Sequence, residues 1–182
     1  MQPRQDGREG LVARVDPALC VSCGICAGSC APMGVGPPKR TGRDQLDEAR
    51  AFVAARTITS DTVVLVVCTR GGGGFGKATA VDGAPVHPVT CSGNLHTSVV
   101  ELLIRSGVQG VLVGSCPPRD CWNREGVRWL EQRLYHDREA ELQERVDRRR
   151  VRLAHAGLGE PEVLRRALAE FRRDLARLGK VA

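Results

Sequence analysis

The eight cysteines of this 182-residue chain fall into two sets of four with different spacings. Four thiolates are the ligand set of an iron–sulfur cluster, so two sets of four predict two clusters and a protein that carries electrons. The first cysteine set is one tight run, and the second is spread over a longer stretch. The first set consists of Cys20, Cys23, Cys26 and Cys30, and the second of Cys68, Cys91, Cys116 and Cys121.

The first cysteine set has the C-x2-C-x2-C-x3-C spacing of bacterial ferredoxins. This spacing lets a short loop wrap around a cubane while backbone N–H groups point at its sulfurs. Gly24 and Gly28 supply the tight turns that such wrapping requires. A structural zinc site instead uses cysteine pairs separated by a longer spacer. The first set therefore predicts a [4Fe–4S] cluster, with Cys20, Cys23 and Cys26 among its ligands.

The role of Cys30 is left open by the spacing. In two-cluster ferredoxins the fourth cysteine of such a run binds the other cluster, and a proline follows it directly. In this chain Ala31 separates Cys30 from Pro32, and there is no second run. Either Cys30 completes the first cluster, as the count of eight favours, or the fourth ligand comes from elsewhere and Cys30 serves a partner.

The second cysteine set must be positioned by strands, because its members are far apart in the sequence. Short apolar runs predict strands, and amphipathic stretches between them predict helices. Such alternation predicts an α/β fold with a small parallel sheet and helices on both faces, flavodoxin-like or Rossmann-like. The predicted strands are residues 62–68, 85–90, 110–114 and 151–155, and the predicted helices are residues 97–106, 125–146 and 160–178.

Three cysteines of the second set, Cys68, Cys91 and Cys116, lie at the ends of predicted strands. Cys121 follows five residues after Cys116. The carboxyl ends of parallel strands meet at one edge of a sheet, where α/β proteins bind their ligands. We therefore expect the four thiols to converge there.

The chain divides into three parts by composition. Residues 1–42 form the ferredoxin-type segment and a Pro/Gly-rich linker, which forbids regular structure. Residues 43–59 predict a connecting helix, with Asp44 capping its start. Residues 60–182 form the predicted α/β domain.

Composition and charge exclude several function classes. The N-terminus has no apolar signal region and no apolar run could cross a bilayer, so we expect a cytoplasmic protein, at most peripheral to a membrane complex. In the cytoplasm cysteines favour metal binding over disulfides.

The formal charge is +6, which two clusters of about −2 each would lower to roughly +2. The basic run at residues 145–152 lacks aromatics, and we interpret it as a solvated helix end rather than a nucleic-acid site.

The second half of the chain resembles a known family, the delta (iron–sulfur) subunit of methyl-viologen-reducing hydrogenase, which is also found fused to heterodisulfide reductase-type proteins. The resemblance covers roughly residues 60–178 and rests on VVCTRGG, VTCSGN, VVELLIRSG, QGVLVGSCPPRDC and VRLAHAG. It implies a [2Fe–2S] cluster whose ligands match Cys68, Cys91, Cys116 and Cys121. Trp122 stands where the family often has His.

The resemblance also implies a role and partners. The chain would be an electron-transfer subunit without a substrate site, and it would relay electrons between redox subunits of a larger complex. Those partners would be a heterodisulfide reductase-like flavoprotein, a hydrogenase or dehydrogenase, or a membrane quinone oxidoreductase. Two other classes stay open: a thiol–disulfide protein that uses Cys116 and Cys121, and a zinc-stabilised scaffold.

Two further features, the glycine-rich segment after Cys68 and His96, are interpreted as structural rather than ligand-binding. The glycine-rich RGGGGFGKAT satisfies nucleotide-binding spacings, but those need a helix to begin there, and too few residues precede the next strand. We expect its glycines to let the backbone pass close to the second set. His96 could replace a thiolate, as in a Rieske centre, but four cysteines are present and we expect a helix-capping or surface role. Trp122 and Asn123 are expected to pack over the cluster or line a partner interface.

Overall fold

The computed structural model describes residues 2–3, 10–12 and 14–179. The predicted segment 1–42 and the predicted domain 60–182 also include residues 1, 4–9, 13 and 180–182, which lie outside the described residues. The strands are β1 (Gln2–Pro3), β2 (Leu11–Val12), β3 (Val63–Cys68), β4 (Ala80–Val81), β5 (Ala84–Val89), β6 (Gly110–Ser115) and β7 (Val151–His155). The α-helices are α1 (Ile25–Gly28), α2 (Gly42–Ala54), α3 (Thr97–Arg105), α4 (Gly126–Tyr135) and α5 (Pro161–Leu178).

A five-stranded sheet of order β4-β5-β3-β6-β7 forms the centre of the fold. The strands β5, β3, β6 and β7 are parallel, and the short β4 pairs antiparallel with β5 at one edge. β1 and β2 form a separate antiparallel pair. The predicted α/β class with a small parallel sheet is confirmed.

Both faces of the sheet are covered, as the uninterrupted apolar run of β3 requires. Val64 and Val66 face a core built with α2, α3 and α4, whereas Val63, Leu65 and Val67 face a core built with α5. This division follows from the two-residue period of a strand.

The long helix α5 shows how sequence sets one of these layers. Its buried residues recur at helical spacing, and each such buried apolar side chain contributes about 1.5–3 kcal/mol to folding. The residues in question are Leu164, Leu168, Phe171 and Leu175.

The helix α4 is shorter than predicted, because it ends at Tyr135 rather than at residue 146. Asp137 and Ala140 adopt left-handed backbone angles, with φ of 51° and 57°. The chain thereby turns back, and the Leu142 N–H donates to the Arg133 carbonyl at 2.8 Å. The turn buries Leu142 and Val146 in the core, whereas a continued helix would have carried both side chains away from the sheet.

The basic run at residues 145–152 is likewise not a helix end. It covers a turn, a short 3-10 segment and the start of β7. Most of its arginines have acidic partners, and the buried Arg150 donates to the carbonyls of Gln109 and Gly179. The acidic partners are Glu101 for Arg145, Asp137 for Arg148, Asp147 for Arg149 and Asp174 for Arg152.

The N-cap of α2 lies about one turn before Asp44, the residue predicted to cap this helix. Thr41 is the N-cap residue, and Asp44 completes a capping box by accepting from the Thr41 backbone N–H at 2.8 Å. Among the helices of the described residues, none combines the length and apolar character that crossing a bilayer requires.

Candidate iron–sulfur centres

The second cysteine set lies at the carboxyl edge of the sheet, where the strand order reverses. Cys68 ends β3, Cys116 directly follows β6, and these two strands are neighbours at the point where successive connections go to opposite sides. Cys91 follows β5, and Cys121 follows the short turn Pro118–Asp120. Doubly wound sheets bind ligands at this switch point.

The four thiols of the second set are buried and close together. Their exposed fractions are between 1% and 7%. Cys68, Cys116 and Cys121 form one buried cluster with Val127 of α4. A Cβ added to Gly126 would lie 2.9 Å from Cys91 Sγ and 3.6 Å from Cys121 Sγ, so Cys91 adjoins the same group.

Cys68 and Cys116 are hydrogen-bonded to each other at this edge. A hydrogen bond from Cys116 lowers the pKa of Cys68 to about 6, against the effect of burial, and the N–H groups of Arg70 and Ser92 act in the same direction. The hydrogen bond to Cys68, together with burial, raises the pKa of Cys116.

Backbone and side-chain donors surround this edge. Burial raises the pKa of Cys91, whereas the Asn123 side chain and the Gly93 N–H, which hydrogen-bond to it, act to lower it. Donors directed at sulfur are what a cluster site uses to stabilise thiolates and bridging sulfides.

The glycine-rich loop after Cys68 contacts the second set but not through an α-helix. Residues Gly72–Lys77 form 3-10 turns, broken at Gly73 and Gly74. No α-helix begins there, so the phosphate-binding reading fails. A Cβ on Gly71 would lie 2.7 Å from the backbone and Cβ of Cys116, which confirms that glycine permits the close approach.

Two buried polar atoms near the second set lack a hydrogen-bond partner within the described part of the chain: Ser92 Oγ and Arg133 Nε. Ser92 directly follows Cys91, and Arg133 is fully buried. Burial lowers the pKa of Arg133 to about 10, and Cys91 opposes that shift, so the guanidinium is charged at neutral pH.

The donors of both sets are thiols, the side chains that hold iron–sulfur clusters. Among the described residues, no three Cys, His, Asp or Glu side chains are grouped so that they could hold one metal ion. A zinc ion needs four ligands around one point. A cluster spreads its four thiolates over two or four irons, so such a grouping is not required.

The first cysteine set is more exposed and lies in a loop around the single turn α1. Cys20 and Cys26 are exposed, and Cys23 and Cys30 are half-buried. Partial burial raises the pKa of Cys26, and the charges of Cys23 and Cys20 add to this effect, which places those three thiols near one another. Gly24 and Ser22 adopt left-handed backbone angles, with φ of 77° and 51°. The predicted turn at Gly24 is confirmed.

The loop at residues 91–96, which we call the bridging loop, joins the two sets. Asn94 Nδ2 donates to the Gly24 carbonyl at 2.7 Å. His96 Nδ1 accepts from the Ser98 N–H and caps α3, so its Nε2 carries the proton and donates to the Cys30 carbonyl at 3.2 Å. His96 thus caps a helix, as expected, and also holds the first set.

Sequence reasoning missed Asn94 and Arg133. Arg133 Nη1 donates to Ser29 Oγ at 3.1 Å, and its Nη2 donates to the Gly93 carbonyl at 2.8 Å and to the Leu95 carbonyl at 3.3 Å. A signal for it existed, because Arg133 follows the buried Leu130 by three residues on the apolar face of α4.

Trp122 and Asn123 differ in their surroundings. Trp122 is 74% exposed, and the Arg70 guanidinium lies 4.7 Å from the centre of its ring. Asn123 instead hydrogen-bonds to Cys91.

Comparison with known proteins extends this description. The family model for the methyl-viologen-reducing hydrogenase delta subunit matches residues 74–179, more than half of the chain. The matched region includes Cys91, Cys116 and Cys121, and it begins after Cys68. The search of curated proteins gives no match. The chain therefore belongs to the family of methyl-viologen-reducing hydrogenase delta subunits.

Proposed function

We propose that this chain is an electron-transfer subunit of a multi-subunit redox complex, with a [4Fe–4S] cluster on the first cysteine set and a [2Fe–2S] cluster on the second. The observation that carries the proposal is the convergence of four buried thiols from three chain segments, at the ends of β3, β5 and β6, at the switch point of the sheet. When bound, such clusters accept and return single electrons at a potential set by their surroundings.

The residues around the second set support this role by excluding water and presenting donors. Burial of all four thiols lowers the local dielectric, and the N–H groups of Arg70, Ser92 and Gly93 offset the negative charge of the sulfurs. The hydrogen-bonded pair Cys68 and Cys116 must be deprotonated when iron binds, because only thiolates bind the metal.

The first set is more exposed than the second, which suggests where a partner subunit would bind. Cys20 and Cys26 are exposed, and the neighbouring Leu19 and Val21 are each 80% exposed. We propose that this side of the first set faces a partner subunit and that the second set is insulated.

The family name places relatives in a hydrogenase, and we extend this to partners of this chain. Candidate partners are a hydrogenase or dehydrogenase, a heterodisulfide reductase-like flavoprotein and a membrane quinone oxidoreductase. We propose a cytoplasmic location, including the periphery of a membrane complex.

The structure disfavours the thiol–disulfide alternative. Exchange needs an accessible thiolate of low pKa. Cys116 and Cys121 are buried, and the pKa of Cys116 is raised by its hydrogen bond to Cys68 and by burial.

Metal analysis of the full chain, purified without oxygen, tests the proposal. We expect about six irons with matching sulfide, a brown colour and two distinct paramagnetic signals after reduction. Stoichiometric zinc without iron would favour a scaffold, and a colourless protein that reduces disulfides would favour exchange. Co-purification of the native complex would identify the partners.

A further inference from the structure

We infer that Arg133 is a built-in countercharge for the second cysteine set and a positioning residue that holds the first set against it. The inference rests on the proposed function, because the charge it offsets is that of bound clusters. Arg133 is among the largest fully buried side chains of the described residues, at 0% exposure.

Among the described residues, the hydrogen-bond partners of the guanidinium include no carboxylate. Its Nη atoms donate to Ser29 Oγ and to the carbonyls of Gly93 and Leu95, all of which are neutral. Within the described residues no ion pair involves Arg133, although ten other arginines form such pairs. A buried charge without an opposite charge is strongly unfavourable, so one is expected nearby.

The second cysteine set supplies that opposite charge. Cys91, once ionised as a cluster ligand, is the group whose charge acts favourably on Arg133, whereas the charge of Arg138 acts against it. Four thiolates around a cluster carry a net negative charge when the site is loaded, and that charge persists in both oxidation states. The guanidinium therefore gains its counter-ion when the cluster is bound.

Arg133 also fixes the distance between the two sets. Its Nη2 would lie 2.7 Å from a Cβ on Gly28, so the α1 turn rests directly on the guanidinium. On the other side the same Nη2 holds the bridging loop through Gly93. One side chain thus contacts the loop that carries Cys26 and Cys30 and the loop that carries Cys91.

The sign of the effect on reduction follows from electrostatics. Each one-electron reduction adds one negative charge, which a buried cation stabilises, so Arg133 raises the potential of the second set. The electron would come from a partner redox subunit in the complex and comes from dithionite in the test.

The test compares wild type with Arg133→Met, Arg133→Lys and Arg128→Met in the full chain. Arg128 lies on the same helix, is 72% exposed and serves as the matched control. Potentiometric titration followed by paramagnetic resonance gives the potential of each centre separately. We expect Arg133→Met to lower the second-set potential by at least a tenfold change in the reduction equilibrium, about 59 mV for one electron. The first-set potential should shift less, Arg133→Lys should restore most of the loss, and Arg128→Met should leave both potentials unchanged.

The possible results separate the two proposals. A wild type that binds no iron would overturn the proposed function and this inference with it. A wild type with both clusters and an unchanged potential in Arg133→Met would overturn this inference alone, as would equal shifts in the Met and Lys variants.

A variant that fails to bind iron also gives a clear result. If only Arg133→Met fails to bind iron, thermal unfolding of the metal-free chain gives the reason. A midpoint equal to that of wild type shows that the charge holds the cluster, and supports the inference. A midpoint well below it shows that Arg133 acts only through packing, and contradicts the inference.

Discussion

The two cysteine sets reach four thiols by opposite routes. The first set spans eleven consecutive residues, and its loop geometry depends on local turns at Ser22 and Gly24. The second set spans 54 residues, from Cys68 to Cys121, and only the pairing of β5, β3 and β6 brings its members together. A local motif can therefore be recognised by its spacing, whereas a site built by a sheet is visible only after the strands are placed.

The same contrast has energetic consequences. The second set is part of the apolar core, so any change there also changes packing. The first set lies at the surface and contacts the rest through the bridging loop and Arg133. A substitution in the first set should therefore affect mainly its own loop, whereas a substitution in the second set should also affect the packing of the core.

The largest expected effect comes from removing one thiol from each set. Cys23→Ser should lose about four irons and Cys116→Ser about two, because each cluster depends on its own ligands. Both variants lose the stabilisation that their cluster gives, but Cys116→Ser should lower the free energy of unfolding further, since it also places a hydroxyl at a buried site. Iron analysis and denaturant unfolding measure these two effects, and each variant is the other's control. Equal destabilisation by both would remove the contrast between the sets.

A smaller effect is expected where the second set meets α4. In Gly126→Ala the new methyl group would lie 2.9 Å from Cys91 Sγ. We expect partial loss of the second cluster and an altered paramagnetic signal, with the first cluster intact. Gly159→Ala is the matched control, because nothing lies within 4 Å of a Cβ at that position. A full complement of iron with an unchanged signal in Gly126→Ala would show that the edge has more room than the structure indicates.

Local periodicity explains what could be predicted. The strands β3 and β6 are apolar runs, β5 and β7 are weaker apolar patterns, and α5 repeats its buried residues at helical spacing. The sheet and the edge position of Cys68, Cys91 and Cys116 therefore follow from the sequence. The fold-back after Tyr135 could not be predicted, because it depends on core space for Leu142 and Val146.

The junction between the two sets was also missed. Its hydrogen bonds join Asn94 to Gly24 and Arg133 to Ser29, across 70 and 104 residues of sequence. Such long-range polar contacts leave no periodic pattern, and only the place of Arg133 on an apolar helix face hinted at one.

Acid should weaken the α/β domain through His87, which lies on β5 against Phe52. Burial, helped by the charge of Arg56, lowers the pKa of His87 to about 4, from an ordinary value of 6.5. The lowered pKa means that this stability is complete above pH 6.5 and is lost as the pH falls towards 4. Between pH 7.5 and pH 5 the loss is about 2 kcal/mol.

Denaturant unfolding of wild type and His87→Phe at both pH values, with equal iron content, isolates this contribution. The variant should lose less stability than wild type between the two pH values. Parallel curves for the two proteins would show that His87 does not carry the acid sensitivity.

The smallest expected effect tests whether the two sets are coupled through α2, whose start adjoins the linker from the first set. Thr41 Oγ1 accepts from the Asp44 N–H at 3.3 Å, so Thr41→Ala should cost about 1 kcal/mol of unfolding free energy. Thr41→Ser keeps the hydroxyl and should cost much less. Because α2 also holds the bridging loop, through the bond from Gln45 Nε2 to the Asn94 carbonyl at 3.0 Å, the weakened cap should loosen the first set before the second. Iron chelation rates measured for each cluster would show this as faster release from the first set alone, whereas equal acceleration at both sets would mean that the bridging loop moves as one unit with the sheet.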